Sequence, residues 1–347
     1  MADVPTPSTE PSDPVPSKGG GLSRRAWMRP LWMLVGIGLL AFLLYRAGWR
    51  DLVSSFRRLG WPAMLVLLGL GIVEHLTDCD ALRRAMLGSV RMGWVTVCNA
   101  AGALTNMVIP FEAGEVLKVA LLRQRSTDSR VLSGLVIWNY VWKLAKPCAV
   151  AGLFFLSLAL GNVYPRKLWL PVLAGVALAF VPYLTLRIIL RQRPAERLMR
   201  LLARIPRLKH RAQGWVAGAS RLDGDVHSFS QNHPRAFAEV FVLTLVGRLL
   251  NVPAIYLMAS RLGLPADLGS IAFLYAAQTV ADYLAMMLPA RIGMGEGSAY
   301  LLFEALGLPP TAALVIVITF RARLVMISGP FSLWALFNRP KRAAVLP

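Results

Sequence analysis

Residues 284–308 read LAMMLPARIGMGEGSAYLLFEALGL, a stretch in which an apolar run is interrupted and then resumes. The interruption contains Pro289, several glycines and two residues of opposite charge, Arg291 and Glu296. Proline and glycine weaken a helix, and charges are costly inside a bilayer, so a simple membrane-spanning helix does not account for this order. The composition of the whole chain and a second segment of the same kind explain this interruption.

The rest of the chain has the composition of a polytopic membrane protein. Of its 347 residues, 56% are hydrophobic, whereas soluble domains are typically about 45–50% apolar. Apolar segments, most of them long enough to cross a bilayer, recur along the chain at 31–45, 61–77, 131–160, 168–190, 236–260 and 311–336. The sequence therefore predicts an all-α polytopic membrane protein.

The formal net charge of +20 has a simple explanation in such a protein. The basic residues lie mostly between the apolar segments, as the positive-inside rule expects. Nucleic-acid binding is not expected, because no basic soluble domain with interleaved aromatic residues is present. The three cysteines form no CxxC motif and the four histidines form no HExxH. We therefore expect no disulfide framework, no metal site and no cofactor.

A second interrupted segment, 93–124, is similar to 268–306, the segment that contains the stretch quoted above. Both carry Met-x-aliphatic-Pro, a charge two residues after the Pro, a Gly four residues after it and a Glu close behind. A polar position follows each Glu at similar spacing, Asn139 after the first and Arg321 after the second. We interpret the two segments as corresponding parts of a weak internal repeat.

The distribution of charge favours re-entrant hairpins over single crossings. If 93–124 crossed the membrane once, the basic segment 187–235 would lie outside, against the positive-inside rule. We therefore predict about six full spans plus two hairpins that enter from opposite faces, which a simple hydropathy count gives as eight helices. The halves 61–160 and 236–336 form an inverted repeat. Proline and glycine then form the hairpin turns, and the charges lie where the tips meet.

Three polar segments accompany the single transmembrane domain, 27–336. Residues 1–26 are predicted to be a disordered cytoplasmic tail, and residues 337–347 a second cytoplasmic tail. The linker 191–233 contains leucines at helical spacing among arginines, which predicts a basic amphipathic helix on the cytoplasmic leaflet; a solvated basic loop is the alternative. Both termini are then cytoplasmic.

Ionisable residues within apolar segments are the candidate functional residues, because a charge at membrane depth is costly. The candidate substrate-binding residues are arginines suited to a phosphate or carboxylate and their polar neighbours: Arg248, Arg291, Arg321, Glu112, Glu115, Glu296, Asn139 and Lys143. The residues expected to shape the hairpin turns are Pro110, Gly114, Pro289, Gly293 and Gly295.

Structural roles remain open for several of these residues. Glu115 and Glu296 also suit the capping of hairpin helices at their N-termini, and Glu112 and Arg291 also suit an ion pair between the tips. Lys146 and Arg323 also suit snorkelling or a helix contact. His75, beside Glu74 and Asp78 near the predicted end of a helix, is interpreted as an interface residue.

Two motifs carry a resemblance to a known family. NMVIPFEAGEVLKVALLRQR, residues 106–125, resembles the first motif of the lysylphosphatidylglycerol synthase transmembrane, or flippase-like, family. LPARIGMGEGSAYLLFEALGLPPTAALVIVITFRARLVMISG, residues 288–329, resembles its second motif and is similar to the branch associated with hopanoid biosynthesis. By this match Pro110, Gly114, Glu115, Pro289, Gly293, Glu296 and Arg321 correspond to motif positions. Two positions depart from the family pattern. The family often has Arg at the position of Glu112, and it often has acidic residues at the positions of Asn139-Tyr140…Lys143.

The resemblance implies a multi-pass protein of the bacterial inner membrane that handles an anionic or aminoacylated phospholipid or an isoprenoid lipid. We predict a lipid flippase or transporter, and not an enzyme, because the soluble aminoacyltransferase domain of the full synthases does not follow the last apolar segment. Arg291, Arg321 and Arg248 would hold an anionic head group. Two alternatives stay open: a non-transporting scaffold that binds a lipid-modifying enzyme, and an intramembrane transferase acting on lipid phosphates.

Overall fold

The fold is seen in a computed structural model of the chain. It describes residues 48–108, 113–126, 130–191, 231–286 and 291–337, with isolated residues in 38–45 and 220–229. Every regular element in this described part is a helix, which confirms the all-α prediction. The helices are α1 (Trp49–Ala85), α2 (Met92–Val108), α3 (Ala113–Leu122), α4 (Arg130–Leu160), α5 (Trp169–Ala179), α6 (Val181–Arg191), α7 (Pro234–Leu249), α8 (Asn251–Leu262), α9 (Leu268–Met286), α10 (Arg291–Leu306) and α11 (Pro310–Phe337), with a 3₁₀ turn, Arg166–Leu168, before α5.

Five helical stretches among the described residues are long and apolar enough to cross a membrane. They are Arg50–Ala85, Arg130–Leu160, Arg166–Thr185, Pro234–Leu262 and Pro310–Ala335. They coincide with five of the six predicted spans, while the first, 31–45, lies almost wholly outside the described residues. Large apolar side chains on α1, such as Trp61, Leu65 and Val73, are exposed, as expected of a surface that faces lipid. The chain is a multi-pass membrane protein.

Each interrupted segment is a pair of contacting helices. In the first, α2 packs against α3, and in the second, α9 packs against α10. We call these pairs the first and the second hairpin. Their connections, 109–112 and 287–290, lie outside the described residues, and so do the predicted residues Pro110, Glu112 and Pro289. The re-entrant course of the hairpins relative to a membrane stays a prediction.

The contacts between helices follow a matched pattern. The first arm of the first hairpin, α2, packs on α11, and the first arm of the second hairpin, α9, packs on α4. Helix α4 also packs on α7, as α11 packs on α1, and α1 and α7 pack on each other. Each hairpin therefore contacts the last long helix of the other half of the chain.

The apolar core is divided into two clusters, one beside each hairpin. The first surrounds α2 and the start of α4, with Leu82, Cys98 and Leu122 among its members. The second surrounds α9 and α10, with Phe273 and Phe303 among its members. The charged residues described below lie where helices from both clusters meet.

Two of the predicted spans are each divided into two helices by one turn residue shortly before a proline. Phe180, before Pro182, separates α5 from α6, and Leu250, before Pro253, separates α7 from α8, and both residues keep right-handed helical backbone angles. Proline lacks the backbone N–H and collides with the carbonyl four residues earlier, which interrupts a helix.

The polar segments predicted at both ends and in the linker are largely outside the described residues. This holds for 1–26, for most of 191–233 and for 337–347 apart from Phe337. The amphipathic helix in the linker stays a prediction.

Candidate functional site

Glu115 is held within the first hairpin. Its Oε1 accepts hydrogen bonds from Asn106 Nδ2 at 3.1 Å and from Lys118 Nζ at 2.9 Å. Lys118 is buried, and its ammonium lies 4.4 Å from the centre of the Trp138 ring on α4. The second carboxylate oxygen of Glu115 is buried and has no hydrogen-bond partner within the part of the chain that the structure describes.

Glycine allows the two arms of the first hairpin to meet. A Cβ on Gly114 would lie 2.0 Å from the carbonyl oxygen of Gly102 on α2, a backbone contact that no side chain can avoid. The Gly114 N–H donates to Asn106 Oδ1 at 2.7 Å. The predicted role of Gly114 in shaping the hairpin has this close approach as its physical cause, and the expected capping function belongs to Asn106 rather than to Glu115.

Glu296 in the second hairpin joins two elements. Its Oε2 accepts a hydrogen bond from the Gly293 N–H at 2.9 Å, and Arg321 Nη2 on α11 donates to the same oxygen at 2.9 Å. Gly293, in the first turn of α10, has φ +85°, a conformation that favours glycine. Its N–H therefore lacks a regular helical arrangement and donates to the side chain of Glu296, three residues later. Glu296 is only 1% exposed, so this ion pair is sealed from solvent on the carboxylate side.

A third group of charges lies between the hairpins, and we call it the Glu74 cluster: Glu74 and Asp78 on α1, Arg248 on α7, Asn251 on α8 and Arg323 on α11. Arg248 Nη1 lies 3.1 Å from Glu74 Oε1, and Arg323 Nη2 lies 2.6 Å from Glu74 Oε2. Arg248 also pairs with Asp78. Asn251 Nδ2 donates to Glu74 at 3.1 Å, and Arg323 donates to Asn251 Oδ1 at 2.9 Å.

Two glycines make room for the Glu74 cluster. A Cβ on Gly71 of α1 would lie 2.5 Å from Arg323 Cδ, and a Cβ on Gly247 of α7 would lie 2.9 Å from Thr77 Oγ1. Both glycines therefore permit the close helix contacts that bring α7 and α11 against α1. Small residues at such contacts are typical of helix packing in membranes.

Two cavities of similar size adjoin the Glu74 cluster. The first-hairpin cavity, of about 380 Å³, is lined by Glu115, Lys118 and Asn106. The second-hairpin cavity, of about 390 Å³, is lined by Asp282, Arg321 and Lys146. The residues that line both cavities are Glu74, Arg248, Phe320, Arg323 and Leu324. The Glu74 cluster is therefore a layer shared between them.

The cavities are stacked along the helices rather than side by side. On α11, Val317 lines the second-hairpin cavity and Ile327 the first, and these residues lie roughly 15 Å apart along the helix axis. On α4, Trp138 lines the first-hairpin cavity and Lys146 the second. Along α11 the second-hairpin cavity comes first, and along α4 it comes last, as expected for helices that cross the stack in opposite directions.

Helix α8 agrees with this order, whereas α1 does not distinguish the two levels. On α1, Gly71, His75 and Asp78 lie on both sides of the shared Glu74 and line only the first-hairpin cavity. On α8, which continues α7, Ile255 lines only the second-hairpin cavity, beyond the shared Arg248. A group that moved from one cavity to the other would have to pass the Glu74 cluster.

Comparison with known proteins agrees with a helical membrane protein. The family model described as "Lysylphosphatidylglycerol synthase TM region" matches residues 31–329, most of the chain. The chain belongs to this family. No curated protein and no solved structure gives a significant match.

Membership in this family relates the chain to lipid handling and confirms the resemblance read from the two motifs. The closer relation to the branch associated with hopanoid biosynthesis stays a prediction. Both quoted motifs lie within the matched residues, and the structure places the glutamate of each motif in a hairpin beside one of the two cavities.

The structure brings several predicted site residues of this family member to the cavities. Asn139 lines the first-hairpin cavity and accepts a hydrogen bond from Lys143 at 2.9 Å. Gly295 and Arg321 line the second. A Cβ on Gly295 would lie 3.3 Å from Arg321 Nη2. Arg291 is the first residue of α10, but its side chain lies outside the described residues, so its predicted role stays a prediction.

Glu74 and Asp78 are the functional candidates that sequence reasoning missed, and Arg323, noted there as an ionisable residue within an apolar segment, was not chosen as a site residue. The prediction put Glu74 near a helix end, whereas α1 continues to Ala85 and surrounds it with other helices. A signal was present, because Glu74 and Asp78 stand four residues apart and so share one face of a helix. Acidic residues paired in this way beside an apolar run indicate partners on other helices.

Proposed function

We propose that this protein moves a lipid with an anionic head group between the two leaflets of a membrane. The observation that carries the proposal is the stack of two cavities with charged linings, divided by the Glu74 cluster. Such an arrangement gives a polar head group two successive binding sites at membrane depth, while the acyl chains stay beside the apolar outer surface. The proposal includes no chemical step.

The predicted topology supports movement from one leaflet to the other. With the start of α4 and the end of α11 on the cytoplasmic side, the first-hairpin cavity lies toward the cytoplasm and the second-hairpin cavity toward the outside. The matched packing of the two hairpins supports an inverted repeat, which many transporters use to alternate between two openings. The proposed location is the inner membrane of a bacterium.

The charges of the second-hairpin cavity support an anionic head group. The second-hairpin cavity is lined by four basic residues and two acidic ones: Lys146, Arg248, Arg321 and Arg323, with Glu74 and Asp282. Arginine suits phosphate groups because its planar fork makes two parallel hydrogen bonds. An anionic phospholipid or an isoprenoid phosphate fits this chemistry.

The test is lipid movement in liposomes that contain the purified full chain. Phosphatidylglycerol with a fluorescent acyl chain is placed in both leaflets, and dithionite, which does not cross the membrane, quenches the outer label. The protein is expected to deliver the inner label to the outer leaflet, so that quenching proceeds beyond the value for liposomes with heat-denatured protein. An isoprenoid phosphate, added as competitor, distinguishes the two lipid classes by slowing the movement if it is the preferred cargo.

One result would contradict the proposed lipid movement. If neither labelled phosphatidylglycerol nor a labelled isoprenoid phosphate moves faster than in the denatured control, the protein does not move these lipids by itself. Co-purification of a lipid-modifying enzyme in equal amount would then favour the scaffold alternative.

A further inference from the structure

Two arginines of the Glu74 cluster have donor groups that no acceptor satisfies. Arg248 Nε and Arg323 Nη1 are buried and, within the part of the chain that the structure describes, have no hydrogen-bond partner. Both side chains are nearly enclosed, at 13% and 11% exposure. A buried guanidinium N–H without an acceptor is costly, so these two groups are available to donate to a further acceptor.

The same two arginines converge on a single carboxylate. Arg248 approaches one oxygen of Glu74 at 3.1 Å, and Arg323 approaches the other at 2.6 Å. They come from different helices, α7 and α11, and both line both cavities. Glu74 therefore occupies the point at which an anion travelling between the cavities would meet two arginines at once.

The phosphate of a phospholipid also fits this point. It has two charged oxygens, as Glu74 has, and two ester oxygens that are further hydrogen-bond acceptors, and arginine forks bind phosphate and carboxylate in the same geometry. The additional oxygens can accept from the N–H groups of Arg248 and Arg323 that Glu74 leaves unused. The cluster has two carboxylates, Glu74 and Asp78, and two guanidinium groups, so its own residues balance in charge.

We propose that Arg248 and Arg323 form a transit site for the phosphate of a phospholipid, and that the Glu74 carboxylate fills this site when no lipid is present. This inference rests on the proposed function and names the chemistry at its midpoint. A phosphate that arrives from either cavity displaces Glu74 from the arginines, and Glu74 returns when the phosphate leaves. The exchange keeps the layer between the cavities closed to water and small ions at other times.

The experiment measures equilibrium binding rather than transport. Fluorescence anisotropy of phosphatidylglycerol labelled on one acyl chain is followed on titration with the detergent-solubilised full chain. Diacylglycerol with the same label has no phosphate and reports binding through the acyl chains alone. Glu74→Gln removes the competing charge and is expected to raise the affinity for phosphatidylglycerol about tenfold. The affinity for diacylglycerol is expected to stay unchanged.

A second variant decides the question even if Glu74→Gln does not fold. Arg323→Lys keeps the positive charge beside Glu74, so the ion pair and the fold are retained, but it removes the guanidinium fork. It is expected to lower the affinity for phosphatidylglycerol about tenfold, again without an effect on diacylglycerol. Matched controls are Glu239→Gln and Arg84→Lys, which alter an exposed ion pair between α7 and α1. Both are expected to leave the two affinities unchanged.

The results separate this proposal from the proposed function. The transit site is overturned if Arg323→Lys binds phosphatidylglycerol as tightly as the wild type does, or if its affinity for diacylglycerol changes in parallel. Either outcome counts even if the wild type moves lipid in liposomes. The expected pair of changes supports the transit site, and it does so even if the wild type moves no lipid in liposomes.

Discussion

The two hairpins carry the same Gly-Glu motif but hold the glutamate in different ways. In the first, Glu115 takes both of its hydrogen-bond partners, Asn106 and Lys118, from the hairpin itself. In the second, Glu296 takes one partner from its own turn, at Gly293, and the other, Arg321, from α11. The first hairpin is thus stabilised by contacts between its own arms, and the second is fastened to a neighbouring long helix.

This difference shows what a shared motif specifies and what it leaves to the surroundings. In both hairpins the glutamate supplies a carboxylate near the turn, whereas only in the first does the glycine before it let two backbones come close. The partner of the carboxylate is set by which helix packs beside it. In a mechanism with two openings, the first hairpin can shift with its ion pair intact, whereas the second can leave α11 only by separating Glu296 from Arg321.

The largest expected effect is on the unfolding free energy, and it differs between Gly114 of the first hairpin and Gly295 of the second. Gly114→Ala puts a Cβ 2.0 Å from the Gly102 carbonyl oxygen, and separating the two backbones is expected to cost about 3 kcal/mol or more of unfolding free energy. Gly295→Ala meets only the end of the Arg321 side chain at 3.3 Å and is expected to stay within about 1 kcal/mol of the wild type. Denaturant unfolding of both variants in detergent checks this, and equal losses would contradict the distinction.

The next effect concerns the glutamates. Glu296→Ala leaves Arg321 without its sealed partner and is expected to cost about 2–3 kcal/mol of unfolding free energy. Glu115→Ala leaves the ammonium of Lys118, which is buried at 4% exposure, without its carboxylate partner, and is expected to cost about as much. The double variant Glu296→Ala/Arg321→Ala should recover part of the loss, because it leaves no unpaired charge at that place. Strict additivity of the single losses would show that Glu296 and Arg321 do not depend on each other.

A smaller effect tests the claim that the arms of the first hairpin hold each other. Asn106→Ala removes the acceptor of the Gly114 N–H and one donor to Glu115, which is expected to cost about 2 kcal/mol. Asn139→Ala, which loses a bond to Lys143 within one helix, serves as the comparison at under about 1 kcal/mol. Unfolding in denaturant measures both. A loss for Asn106→Ala no greater than for Asn139→Ala would count against the bridging role.

The smallest effect lies where the second hairpin begins. Asp267 caps α9, and its Oδ1 accepts from the Ser270 N–H at 2.8 Å. Partial burial acts to raise the pKa of Asp267, but the hydrogen bonds from Ser270 outweigh it and keep the pKa below its ordinary value. Because the folded pKa is the lower one, the cap stabilises the fold at neutral pH and loses its effect as the pH falls through the acidic range in which the carboxylate gains a proton.

Asp267→Ala is therefore expected to cost about 1 kcal/mol at neutral pH. The difference from the wild type should shrink toward zero in acid. Unfolding measured across pH for both proteins checks this, and a difference that stayed constant from neutral to acidic pH would exclude the capping role.

The hairpins were predictable from the sequence, whereas the pairing between distant helices was not. The interrupted segments 93–124 and 268–306 correspond closely to the two helix pairs, because proline and glycine act on the local backbone. The proline breaks at Phe180 and Leu250 carried the same local signal. The bond between Arg323 and Glu74 joins residues 249 positions apart, and periodicity contains no information about which helices become neighbours.

The candidate site shows the same division between local and distant information. The sequence selected Glu115, Glu296 and Arg321, since each lies in or after a recognisable motif. It selected Arg248 as a ligand for an anionic head group, but its partners Glu74 and Asp78 emerge only when α1 packs against α7. A charge inside an apolar segment can thus be identified from sequence, but its partner depends on the packed structure.

The most direct test of the account asks from which side of the membrane each cavity is reached. Ala103→Cys lies in the first-hairpin cavity and Val317→Cys in the second. A membrane-impermeant maleimide is added to vesicles of either orientation, with the unsubstituted protein as blank for the three native cysteines. The account predicts that Ala103→Cys reacts from the cytoplasmic face only and Val317→Cys from the opposite face only. Reaction of both from the same face would contradict two cavities stacked across the membrane, and with them the proposed path of the lipid.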